Sequence, residues 1–131
     1  MISPSEMVSV CSSDQLELTC NVTGSPVLEW RIVASQIYRR GVTSQGGADT
    51  QMSYLTIDNS TFTFTRISDE NDMPLVSRLL ISPVNRDLNQ TRVICDDLAN
   101  PDSMLSLTTT IIVTQDIQED PSMGKPLWSR N

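Results

Sequence analysis

Residues 16–32 read LELTCNVTGSPVLEWRI. Apolar and polar side chains alternate from Leu16 to Cys20 and again from Leu28 to Ile32. That period-two pattern belongs to strands with one buried face. Gly24-Ser25-Pro26 separates the two runs with turn chemistry. Parity places Leu18, Cys20, Leu28, Trp30 and Ile32 inward and leaves Glu29 and Arg31 outward. Thr91-Arg92-Val93-Ile94-Cys95 repeats the pattern, with Val93 and Cys95 inward and Ile94 outward. Two facing sheets could then be joined by a Cys20–Cys95 disulfide with the Trp30 indole packed against it. In the chain-entropy picture, closing such a loop contributes roughly 4–5 kcal/mol, comparable with the whole net stability of a small domain.

The alternation continues outward from this centre. Thr61-Phe62-Thr63-Phe64-Thr65 is rich in β-branched and aromatic residues, Leu79-Leu80-Ile81 begins a strand that ends near Pro83, and residues 105–113 supply the last. The stretches RRGVTSQGGADTQ (39–51) and SDENDMP (68–74) read as turn and loop. Helical periodicity is nearly absent. Seven or more short strands separated by turns predict an all-β antiparallel sandwich or barrel over residues 1–115. The stretch QDIQEDPSMGKPLWSRN breaks the pattern, so residues 116–131 are expected to form a linker or flexible tail.

Composition narrows the chemistry. The chain has 131 residues, a formal net charge of −7, no His and three Cys. An excess of carboxylates opposes binding to phosphate backbones, which depends on clustered Lys and Arg. Without His the commonest general base and the His-activated nucleophiles are missing, and no pair of carboxylates can be assigned a glycosidase role. The expectation is a non-enzyme with no cofactor and no metal. No apolar stretch approaches the ~20 residues needed to span a bilayer, so no membrane insertion is expected within this segment. MISPSEMVSV lacks the basic start and apolar core of a signal peptide. The chain is therefore either cytosolic or a piece of a longer secreted protein. Cysteines without CxxC spacing and three N-glycosylation sequons, at Asn21, Asn59 and Asn89, favour the extracellular alternative.

At Cys20, Trp30 and Cys95 the chain resembles the immunoglobulin superfamily. LELTC and LEW look like its strands B and C. Leu79-x-Ile81-x-x-Val84 followed by Asn89-x-Thr91-x-Val93-x-Cys95 looks like strand E, the E–F turn and strand F, and TTTIIV looks like strand G. The resemblance covers about residues 5–114, and the wide cysteine separation suits the longer variable-type domains. Val93 stands where the family often has Tyr, and Asn89 where it often has an acid. The style is closer to divergent, invertebrate-type cell-surface domains than to antibodies. The resemblance implies a Greek-key sandwich and an extracellular receptor or adhesion module that binds a protein ligand or a second copy of itself, with a homodimer as one outcome. A spacer domain in a tandem array and a soluble secreted effector or inhibitor are the alternatives.

Four further expectations concern particular residues. Cys11 is left unpaired, either as a buried edge thiol or as half of a bridge to another domain or chain. Asp69-Glu70-Asn71-Asp72-Met73-Pro74 is similar to a cadherin calcium linker but lacks its second Asn and one spacer, so it reads as a solvated turn. Asp96-Asp97 reads as the solvated start of the F–G loop. The possible protein-binding face is the outer side of the sheet holding strands C, F and G: Glu29, Arg31, Tyr38, Ile94 and Ile112, the two isoleucines forming one apolar strip.

Overall fold

The computed structural model describes residues 2–3, 6–23, 25–47, 52–97 and 107–114. The expected tail lies outside them. Among the described residues ten strands run in chain order: β1 (Ile2–Ser3), β2 (Glu6–Cys11), β3 (Leu16–Val22), β4 (Val27–Val33), β5 (Ile37–Thr43), β6 (Ser53–Ile57), β7 (Ser60–Arg66), β8 (Leu75–Ser82), β9 (Arg92–Asp97) and β10 (Leu107–Thr114). A 3-10 turn, Arg86–Leu88, lies between β8 and β9. The first sheet has the order β1-β3-β8-β7-β6 and the second the order β2-β10-β9-β4-β5. The chain crosses between sheets after β1, β2, β3, β5 and β8, giving an immunoglobulin-like Greek-key β-sandwich.

Every inward position of the opening motif is buried: Leu18, Cys20, Leu28, Trp30, Ile32, Val93 and Cys95. Phe62 and Phe64 of β7, Leu79 and Ile81 of β8, and Val84 beyond it complete the core with the same parity. Cys20 on β3 and Cys95 on β9 form a disulfide that ties the sheets together across 6.5 Å between Cα atoms. Trp30 stands directly opposite Cys95 in the β4–β9 ladder and meets the Phe64 ring at 6.4 Å between centroids. Its indole N–H donates to the Ser77 hydroxyl (2.9 Å), which donates onward to the Thr65 carbonyl (2.7 Å). The one polar atom of the central aromatic is thereby satisfied inside the apolar layer.

Three features depart from the sequence reading. Residues 39–43, read as loop, belong to β5, because the Val33–Ile37 pairing extends through Val27–Thr43 and buries Val42 despite the flanking polar residues. The strand β6 was not anticipated. It pairs with β7 through the two-residue turn Asp58-Asn59, whose φ values of 50° and 66° are the left-handed pair that a tight hairpin requires. The second sheet is not wholly antiparallel: β2 runs parallel to β10 at its edge. Val8 and Val10 of β2 turn toward the core, which places Cys11 on the outer side of an edge strand. There it is free and exposed rather than buried, with the Thr114 hydroxyl 3.7 Å from its sulfur.

The disulfide spans 75 residues of sequence. Replacing Cys20 and Cys95 together with Ala is expected to lower the free energy of unfolding by roughly 4–5 kcal/mol, measured by urea denaturation. Thiol titration of the unreduced, unfolded chain should count one reactive cysteine, Cys11.

Candidate protein-binding face

The outer surface of the second sheet is built by alternation along five strands. Glu29 and Arg31 project outward from β4, Arg92, Ile94 and Asp96 from β9, Thr108, Thr110, Ile112 and Thr114 from β10, and Ile37 and Arg39 from β5. Across the middle of the face, Thr108, Ile94, Arg31 and Arg39 lie side by side on four neighbouring strands. The next row toward the β4–β5 turn is Met7, Thr110, Arg92, Val33 and Ile37.

Charged groups of alternating sign cross this surface. Arg39 donates to Glu29 at 3.2 Å, the same carboxylate lies 3.8 Å from Arg31 Nε, and the other end of the Arg31 guanidinium contacts Asp96. Glu29 and Asp96 are largely covered by these neighbours, whereas Arg39 is exposed. The four charges cancel, so a partner covering them would meet a surface whose ions are already paired. Arg31 Nε is buried without a hydrogen-bond partner, which leaves one donor of this network unsatisfied.

The structure brings together four of the five anticipated face residues and removes the fifth. Glu29, Arg31, Ile94 and Ile112 face outward. Tyr38 does not: it pairs with Ile32 and packs against the core. The connection Ala34–Gln36 sets the register, and a one-residue shift moves every side chain of β5 to the opposite face. The exposed apolar residue of β5 is therefore Ile37, at 60 % relative exposure. Ile94 and Ile112 also fail to form one strip. Ile94 lies opposite Thr108, and Ile112 is two outward positions beyond it, ~13 Å along the strand, with Thr110 between. Val33 and Ile37 stand directly opposite one another on β4 and β5, and Ile94 is the diagonal neighbour of Val33, with Arg31 across from it and Arg92 two residues along its own strand.

A second assembly was missed entirely. Arg66 closes the alternating run of β7 at an inward position and is 3 % exposed. Its guanidinium donates to the carbonyls of Thr43, Gln45, Gly46 and Ser68. Glu70 accepts from the Gly46 amide (3.1 Å), and the Asn71 amide donates to the Ser44 carbonyl (2.6 Å). The acidic 69–74 segment thus stays at the surface, as expected, but also latches the β5–β6 connection to the β7–β8 connection. The signal was present in TFTFTR, where Arg66 shares the inward parity of Phe62 and Phe64.

No protein-family model matches the chain, and no curated protein matches it.

Replacing Arg66 with Met keeps much of the buried stem and removes all four donations. It should cost about 2–4 kcal/mol and raise amide hydrogen exchange in residues 43–47, read by mass spectrometry. Unchanged exchange there would show that the latch is not what orders the connection.

Proposed function

We propose that this chain is a variable-type domain of the immunoglobulin superfamily and a non-catalytic recognition module of an extracellular receptor or adhesion protein. It binds a protein through the outer face of the second sheet. The observation that carries this reading is the distribution of surface chemistry. The second sheet presents Ile37, Val33 and Ile94 beside a charge-neutral network of Arg39, Glu29, Arg31 and Asp96, an apolar patch with a polar rim. None of the three sequon asparagines is on a strand of the second sheet, and all three are exposed. Asn21 is on β3 of the first sheet, Asn59 is at the tip of the β6–β7 hairpin, and Asn89 follows the 3-10 turn. A glycan at Asn21 would cover the first sheet, and glycans at Asn59 and Asn89 would cover one pole, where Asn89 borders Val33; the part of the second sheet away from that pole is left open.

The variable-type assignment is supported by β2 pairing parallel with β10, and by β5 and β6 inserted between the strands that hold Trp30 and Phe64. The Cys20–Cys95 bridge fits an oxidising compartment. No helix among the described residues is long and apolar enough to cross a membrane.

Replacing Ile37 and Ile94 together with Lys should abolish self-association, or binding to the native partner, by more than about tenfold, since central apolar contacts dominate interface energetics. Tyr54→Lys on the first sheet, at a site that is 62 % exposed, is the control and should change neither. Sedimentation equilibrium and surface plasmon resonance read the two. Full binding by the double variant with its fold intact would refute the assignment of this face.

A further inference from the structure

The end of the sandwich away from the Arg66 latch holds an open cleft of about 300 Å3, lined by Val33, Ala34, Ser35, Asp58, Asp87, Asn89, Gln90 and Thr91. Three connections build it: the β4–β5 turn, the β6–β7 hairpin tip, and the segment between β8 and β9. Its walls are fixed by hydrogen bonds. The Asn85 side chain donates to the Asp58 carbonyl (2.9 Å) and accepts from the Asp87 amide (3.2 Å), and the Asn85 amide donates to the Ser60 hydroxyl (3.2 Å). The Val113 amide donates to the Asn89 side-chain oxygen (2.9 Å), and the Gln90 amide donates to the Ile111 carbonyl (2.8 Å).

Within this rigid frame the polar groups are left over. The carboxylates of Asp58 and Asp87 have no hydrogen-bond or ion-pair partner among the described residues. Arg86, on the same turn, pairs with neither. Thr91 is 97 % buried in the complementary sense of its 3 % exposure, and its hydroxyl also has no partner among the described residues. That hydroxyl is not sealed off: it keeps some solvent access where Thr91 lines the cleft. A hydroxyl at a cleft that no protein group engages is free to accept a hydrogen bond from a ligand in place of water. Two carboxylates at the rim select positive charge. Val33 and Ala34 add a small apolar wall suited to a methylene stem.

We propose that this cleft is a second binding site, at the pole bordering the face on the second sheet and sharing Val33 with it, for an organic ammonium or guanidinium cation. The cation lies between Asp58 and Asp87, donates one N–H to the Thr91 hydroxyl, and packs its aliphatic portion on Val33 and Ala34. The net charge of −7 favours the approach of such a ligand from a distance. Its source is either a Lys or Arg side chain of a partner protein or a free polyamine. Asn59 and Asn89 are sequon asparagines adjoining the cleft, so glycans at either position would crowd its mouth.

The test uses the full chain without glycans, labelled with 15N. Nα-acetyl-arginine amide and spermidine are titrated separately, with Nα-acetyl-glutamine amide as the neutral probe. The cations should shift the amides of residues 33–35, 58 and 87–91 saturably, and the neutral probe should not. Asp58→Asn with Asp87→Asn should weaken binding at least about tenfold and Thr91→Val several-fold, as expected for losing charge-assisted hydrogen bonds. Asp69→Asn with Asp72→Asn, which removes equal charge at the far pole, should leave affinity unchanged. Tighter spermidine binding assigns a free polyamine, and tighter arginine binding assigns a partner side chain. Either order supports the site. Equal shifts from the glutamine probe, equal weakening by both double variants, or no saturable shift would overturn it.

Discussion

The structure depends on one constraint: three inward side chains, Cys20, Trp30 and Cys95, occupy the middle of the space between two sheets. The disulfide fixes where β3 and β9 sit relative to one another. The indole fills the volume beside it, and its N–H is absorbed by Ser77 rather than left buried and unpaired. Once these three positions are inward, period-two alternation assigns a face to every other residue of β3, β4 and β9. The pairing ladders extend that assignment to β8, β5 and β10. The outer surface is therefore a consequence of the core: Glu29, Arg31, Ile94 and Asp96 face solvent because their neighbours cannot.

The same logic shows where a sequence is legible and where it is not. The parity of Leu18, Cys20, Leu28, Trp30, Ile32, Val93 and Cys95 could be read directly, because each lies within an uninterrupted run on one strand. Tyr38 could not be placed, because its face depends on how many residues the β4–β5 connection consumes. That count is a property of turn geometry rather than of local hydrophobicity. The strand β5 was concealed for a related reason. Arg39, Arg40 and Gly41 look like loop, yet β5 is an edge strand, where charged residues guard an open row of backbone groups. Ile94 and Ile112 illustrate a third limit. Parity places both on one face correctly, but only the register of β9 against β10 shows that they are too far apart to form a strip.

The two poles of the sandwich use polar residues in opposite ways. At one, Arg66 is buried and its guanidinium donates to four backbone carbonyls, so a charge serves to hold two connections in place. At the other, Asn85 does the holding, and the carboxylates of Asp58 and Asp87 and the hydroxyl of Thr91 remain unengaged around a cleft. Polar groups in excess of what the fold needs are a signature of binding rather than of stability. The sheet face shares that character, since its apolar patch is not required by the core beneath it.

The account turns on the core setting the register and the register setting the surface. The most direct measurement of that claim is solvent paramagnetic relaxation of side-chain resonances in the intact chain, with a neutral gadolinium chelate in solution. Ile37 should be strongly attenuated and Ile94 partly so, whereas Ile32, Ile81 and Ile111 should keep their full intensity and the Tyr38 ring should be attenuated less than that of Tyr54. A protected Ile37 beside a fully accessible Tyr38 would contradict the account, because it would mean that β5 pairs one residue out of register and presents the opposite face.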